Sequence, residues 1–260
     1  RRGFYSRGAT VLVLFAWLAV IGLVRLEKRW IAAALYLGVG LLVALKFRSG
    51  AAATVWALGA GAFALQLLTL ARARSAIAAA AAAACLATPL LVKSFPAPDA
   101  QHAAARSLPS SWSHRIVIWQ FAAAKIAERP VLGWGLDASR KIPGGRETIP
   151  WQMDPDPNDA GDRMSVVQRL PLHPHSVSLQ LWLELGATGA ALLAALAFLL
   201  VRSGGVDRAE RWPHAGCVAL ACSGLAIANV SYGAWQTWWL STLFMVAAAA
   251  LLLARRREAP

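Results

Sequence analysis

Acidic residues are scarce in this chain. It has 13 Asp+Glu against 26 Lys+Arg, and charged residues make up only 15 % of its 260 positions. A soluble domain carries about 25 % charge and about 45–50 % apolar residues. Cysteine is sparse too: three in this length exclude a disulfide scaffold. Low hydrophobicity, the hallmark of disorder, is missing, since 58 % of the residues are hydrophobic. What is abundant is positive charge, a net +13 with a pI near 11.0. That balance suits nucleic acid, so where the charges fall decides its meaning. The first residues, Arg1-Arg2-Gly3-Phe4-Tyr5, carry no pattern of n-region, apolar core and cleavage site. A start at Arg1 rather than Met leads to the expectation that further helices precede it.

The apolar residues come in blocks. A spanning helix needs roughly 20 of them, with a range of about 17–25. Seven blocks qualify or nearly do: residues 8–24, 30–45, 50–71, 75–92, 177–201, 213–231 and 235–254. A soluble domain of this size has no core in which to hide so many all-round apolar helices. The expectation is an all-α polytopic membrane bundle of about seven transmembrane helices. Helices one to four occupy 1–92, a long loop 93–176, helices five to seven 177–254, and a basic tail 255–260.

The basic residues mark one side. Arg25, Lys28 and Arg29 separate the first two blocks, and Arg72 and Arg74 the third and fourth. Arg202, Arg208 and Arg211 separate the fifth and sixth, and Arg255, Arg256 and Arg257 follow the last. Alternating spans put all four groups on one face, which the positive-inside rule makes cytoplasmic. The basicity is then topological and nucleic acid is not a partner; membrane lipid is. Arg1, Arg2 and Arg7 run against the rule. Trp30, Trp212, Trp235, Trp238 and Trp239 sit at block ends, as in an aromatic belt. Cys85, Cys217 and Cys222 lie inside spans and read as small apolar residues.

The large polar segment, 93–175, then lies on the outer face. Residues 93–109 are Pro/Ala-rich and linker-like. Ser111 or Ser113 could cap a helix over about 112–128, with Ile116, Trp119, Ala123 and Ile126 as its apolar stripe. Gly133-x-Gly135-x-x-Ala138 follows a helix, not a strand, and is no dinucleotide fingerprint. Asp154, Asp156 and Asn158 mimic an EF-hand start, but Asp159 and Ser165 stand where Gly and Glu are needed. His173-Pro174-His175 has no third ligand at metal spacing, and in an extended chain its two rings point to opposite sides. No metal and no cofactor are expected.

His175 lies at the start of span five. There the positive end of the helix dipole keeps an imidazole neutral, which suits a general base. A plain helix cap at the interface fits the same position. Arg48 stands on the outer face against the charge bias, beside Lys46; it either snorkels to headgroups or belongs to a site. Arg48, Arg115 and His175 come from three segments but share that face. Two guanidinium forks and a neutral imidazole at a membrane surface suit a lipid-linked pyrophosphate. Glu184 is the one carboxylate inside a span, ~13 Å beyond His175 along a helix. Half a turn out of phase, it reads as a hydrogen-bond partner more than a catalytic acid.

Ser113-His114-Arg115-Ile116-Val117-Ile118-Trp119, Pro130-Val131-Leu132-Gly133-Trp134-Gly135, His173-Pro174-His175-Ser176 with Leu179-Gln180, and Glu184-Leu185-Gly186 resemble the C-terminal domain of the O-antigen ligase and polymerase superfamily. The resemblance covers roughly 41–201. It implies a bacterial inner-membrane glycosyltransferase with its active face in the periplasm. The implied donor is an undecaprenyl-diphosphate-linked glycan, and the implied acceptor in the ligase branch is the lipid A core, glycosylated with inversion. No nucleotide sugar or metal is implied. By this resemblance His175 is the catalytic His with His173 in support, and Arg115 and Arg48 bind the diphosphate. Glu184 and Ser176 are supporting residues. Two positions depart from the family: Ser176 replaces the Asn that usually follows the His, and Phe47 replaces the Ser before the membrane-edge Arg. An O-antigen or exopolysaccharide polymerase and a protein O-oligosaccharyltransferase share these motifs. A transporter is the alternative of another class, and it predicts ionisable residues or Gly/Pro breaks at mid-membrane.

Overall fold

A computed structural model describes residues 2–43, 50–96, 110–152, 164–202 and 211–255. Arg48, with Lys46 and Phe47, and the acidic loop of Asp154, Asp156 and Asn158 lie outside the described residues. The chain is a predominantly helical polytopic bundle, as its apolar blocks require. Its elements are α1 (Arg2–Arg25), α2 (Arg29–Leu42), α3 (Gly50–Lys93), α4 (Ser110–Glu128), a 3-10 turn (Ala138–Lys141), β1 (Thr148–Gln152), β2 (Met164–Gln168), α5 (Val177–Arg202), α6 (Arg211–Val230) and α7 (Thr237–Arg255). Among the described residues, five stretches are long and apolar enough to cross a bilayer: Arg7–Arg25, Gly50–Thr69, Arg74–Lys93, Val177–Arg202 and Arg211–Val230. Arg29–Leu42 and Thr237–Leu253 are shorter apolar helices.

Two boundaries differ from those the sequence suggests. Blocks 50–71 and 75–92 form one 44-residue helix, not two with a turn at Arg72 and Arg74. The residues between them are good helix formers and include no Gly or Pro, so no stop signal interrupts the backbone. The long loop is also less irregular than expected. It contains an antiparallel hairpin, with Thr148 opposite Gln168 and Gln152 opposite Met164. The β-branched and aromatic content of Thr148-Ile149-Pro150-Trp151 and Val166-Val167 favours strands, a signal hidden among prolines.

The chain divides into two compact units. The first comprises Arg1–Ala83, Ala195–Ser231 and Trp235–Pro260. Trp17, 2 % exposed, is at its centre. Its indole donates to Ser223 Oγ at 3.1 Å and its ring meets Tyr36 at 4.2 Å and Phe63 at 5.4 Å. Small residues make this approach possible: a Cβ on Gly59 would lie 2.3 Å from Ser223 Oγ, and one on Gly40 2.3 Å from the Trp56 ring. Such close seams are how helices associate where lipid removes the hydrophobic driving force. Trp239 is buried here at 2 %, so it is a core residue and not part of a belt. Arg25 donates to the Leu253 carbonyl in the last turn of α7, and Arg29 stacks over Trp212 at 5.2 Å. The basic ends of α1, α2, α6 and α7 therefore gather together. Arg7, at the opposite end of α1, lies over Trp238 at 5.1 Å.

The second unit comprises Ala84–Ala194 and Tyr232–Ala234. Its core joins Val92, Ile118, Ala123, Ile126, Ile142, Leu170, Leu179 and Leu183. The buried stripe of α4 thus runs through Ile118 rather than Ile116. The helix begins at Ser110, so Ser111 and Ser113 lie within its first turn and do not cap it. Pro89 inside α3 has no N–H for the Cys85 carbonyl four residues earlier. The Trp182 indole donates to that carbonyl at 3.2 Å, which ties the end of α3 to α5.

Candidate active site

The second unit is organised around a break in α5. Gly186 has φ 65° and ψ −152°, non-helical values inside the element. A break frees backbone groups, and buried ones must be paired. The segment 130–135 pairs them. Trp134 N–H donates to Leu183 O at 2.9 Å, Gly135 N–H to Glu184 O at 2.9 Å, and Ala187 N–H to Pro130 O at 2.8 Å. The fit admits no side chain at either glycine. A Cβ on Gly133 would lie 2.5 Å from the Glu184 carbonyl, and one on Gly186 2.2 Å from Val131 O. The two motifs that look separate in the sequence are therefore the two halves of one joint. Transporter helices also break at glycine, but there the freed backbone lines a cavity; here the loop fills it.

Glu184 sits beside that joint, fully buried. Its carboxylate accepts from Asp137 N at 2.8 Å, Ser139 Oγ at 2.5 Å and Gln180 Nε2 at 3.0 Å. Gln180 in turn accepts from Ala234 N at 2.8 Å. One i, i+4 pair on α5 thereby fixes both the 3-10 turn and the 232–234 segment. The sequence placed Glu184 deep in a span. However, α5 has 26 residues where a crossing needs ~20, and Glu184 lies before its break at Gly186, so its first turns need not lie in lipid.

The histidine pair lies at the start of α5. Ser176 caps the helix, its Oγ accepting from Leu179 N at 3.3 Å. His175 precedes it with φ 55°, in the left-handed region. That conformation costs a non-glycine residue roughly 1–2 kcal/mol, a strain of the kind held at functional sites. It also overturns the extended-chain expectation: the rings of His173 and His175 do not diverge but meet edge-on, centroids 4.3 Å apart. His175 N–H donates to His173 Nδ1 at 3.1 Å, so that nitrogen is an unprotonated acceptor. Trp119 on α4 donates to Pro174 O at 2.7 Å and fixes the turn. A Cβ on Gly233 would lie 2.8 Å from the His173 ring, so the 232–234 segment closes over it.

Burial, then the charges of His175, Arg140 and Arg115, pull the His173 pKa down from 6.5 to about 3. Arg115, half-buried on α4, stacks over Trp112 at 5.2 Å and faces Tyr232. Burial lowers its pKa, and Tyr232 opposes that shift. Sequence reasoning missed Arg140, Tyr232 and Gln180 as neighbours of this cluster. Arg140 is paired with Asp137 at 2.9 Å. Its only linear signal was proximity to Gly133 and Gly135, whose partner glycine is some fifty residues away. Among the described residues, no group of three or more His, Cys, Asp and Glu side chains converges as a metal site would.

The neutral His173 makes stability pH-dependent. Its folded pKa lies below the unfolded value, so the unfolded chain takes up the proton first as pH falls. The contribution of His173 to stability should be constant above about pH 6.5, fall from there toward pH 3, and level off below. Thermal unfolding in detergent across pH 4–8 checks this. A His173→Gln variant should lose that part of the slope.

These features define a multi-pass membrane protein in which a strained histidine turn is hydrogen-bonded to the helix that carries a half-buried arginine. A family model described as O-antigen ligase matches residues 3–194, and the chain belongs to that family. It is 30 % identical over 240 residues, 91 % of this chain and 54 % of the relative, to a Rickettsia conorii protein named "Putative polysaccharide ligase RC0486". A Rickettsia felis protein named "Putative polysaccharide ligase" is 28 % identical over 91 % of this chain and 55 % of its own. A third, from Rickettsia prowazekii, is 30 % identical over 60 % of this chain and 35 % of its own length. The chain spans about half the length of the first two relatives. No solved structure matches it.

Proposed function

We propose that this chain carries the active site of a glycosyltransferase of the O-antigen ligase type, in the bacterial inner membrane with the site facing the periplasm. The donor is a glycan on undecaprenyl diphosphate and the acceptor is a hydroxyl of the lipid A core. His175 takes the proton from that hydroxyl as its oxygen attacks the anomeric carbon. The bond from that carbon to the diphosphate breaks, and its electron pair leaves with undecaprenyl diphosphate. Arg115 and Arg48 bind the diphosphate and offset the charge that develops on it. His173 holds the backbone of His175. Ser176 and Glu184 support the turn and its surroundings.

What supports this reading is that the strained His173-Pro174-His175 turn is tied through Trp119 to α4, the helix that carries Arg115, and that the charge of Arg115 is among those that lower the His173 pKa. The test is in vitro transfer by the full-length protein from a defined undecaprenyl-diphosphate glycan to competing acceptors. A single glycan added to the lipid A core is the expected product. Chain growth on undecaprenyl diphosphate would make the protein a polymerase, transfer to protein an oligosaccharyltransferase, and flux across proteoliposomes without bond formation a transporter.

A further inference from the structure

The 3-10 turn that carries Arg140 continues into a feature the proposed reaction does not use. Lys141, Ile142, Gly144, Arg146 and Glu147 line an open cavity of about 450 Å³. That volume lies within the roughly 300–1,000 Å³ of small-molecule sites. Its frame is rigid. Ile142 is buried in the core of the second unit, Leu170 N–H donates to Gly145 O at 2.8 Å, and Arg169 N–H donates to Glu147 O at 3.0 Å. The charge is lopsided. Glu147 pairs with Arg169 at 3.5 Å, whereas among the described residues neither Lys141 nor Arg146 is in an ion pair. Two exposed cations and a carboxylate that can accept hydroxyls therefore face one hollow with no aromatic ring in its lining.

We propose that this cavity is the acceptor subsite, and that it takes an anionic sugar bearing a phosphate or carboxylate substituent. The proposal rests on the transferase reading above. Glu184 holds Asp137 N–H and Ser139 Oγ, so the turn that carries Arg140, whose charge acts on His173, also places Lys141 at the cavity. An acceptor anchored by its charge in the cavity would extend its hydroxyl along that turn toward the histidine pair. Arg146 supplies a fork suited to phosphate or carboxylate, and Lys141 a point charge.

The test uses the full-length protein in nanodiscs. One acceptor oligosaccharide is offered phosphorylated, or after phosphatase treatment. In the double variant Lys141→Gln/Arg146→Gln, KM for the phosphorylated acceptor should rise at least about tenfold, since losing even one charge-assisted hydrogen bond costs that much. Its donor KM and its KM for the dephosphorylated acceptor should match wild type. Equal effects on both acceptors, no effect on either, or a raised donor KM would overturn the subsite. Binding of the phosphorylated oligosaccharide, measured by calorimetry without donor, tests the cavity even if no transfer occurs. Failed transfer with intact, variant-sensitive binding sinks the transferase reading alone. Occupancy that follows the anionic-lipid content of the nanodisc, and not the oligosaccharide, overturns the acceptor assignment.

Discussion

Replacing His175 with alanine in the full-length protein should abolish attachment of O-antigen to the lipid A core in a ligase-null strain. General-base catalysis contributes about 10²–10⁴ in rate, so capped lipopolysaccharide should fall by that order at equal expression. The alanine variant changes two things, because His175 also holds a left-handed backbone at φ 55°. His175→Asn separates them. Asparagine tolerates that conformation better than alanine but has no imidazole. Both variants should be inactive, and the asparagine one should melt at the wild-type temperature. Wild-type levels of capped product from His175→Asn would remove the histidine from the mechanism. Activity lost only in step with lowered stability would make its role structural.

The second large effect is on folding. Gly133→Ala and Gly186→Ala should each unseat the 130–135 segment from α5. Both glycines have positive φ, 70° and 65°, which strains any L side chain by about 1–3 kcal/mol. Neither has room for a Cβ, since backbone atoms stand 2.5 and 2.2 Å from where it would be. Backbone cannot rotate away as a long side chain can. Relief means parting the joint, which exposes the hydrogen bonds at Leu183, Glu184 and Ala187. Each buried group left unpaired costs about 1–3 kcal/mol more. The expected result is a protein that is poorly recovered in detergent and cleaved by protease within 130–141. Gly61→Ala is the control: nothing lies within 4 Å of its Cβ position, and it should behave as wild type. Stability unchanged in Gly133→Ala would show that the joint does not hold the unit together.

Much of this protein follows from its linear pattern. Apolar blocks near the length of a bilayer crossing need no tertiary information to be recognised, because the bilayer sets a length and a polarity that composition alone must meet. The helix expected over about 112–128 is a local event, readable from periodicity, and the structure starts it at Ser110. The motifs around Arg115, Gly133, His175 and Gly186 were also visible, and so was the family they resemble.

The joint between those motifs was not. Gly133 and Gly186 have meaning only against each other, and a single chain with no contact information does not say which backbone a missing Cβ makes room for. The same holds for Glu184, whose carboxylate looked like an intramembrane oddity until Asp137, Ser139 and Gln180 were seen to donate to it. It holds for Arg140 and Tyr232, polar residues in unremarkable turns. It also holds for the histidine pair, where one left-handed dihedral reverses the alternation that an extended chain imposes. The sequence alone determined that the chain is a multi-pass helical membrane protein, because length and hydropathy are local properties, and its motifs carried the resemblance to the family. Only the tertiary structure decided which polar groups share a site, because burial, a missing Cβ and a single φ act through neighbours distant in sequence.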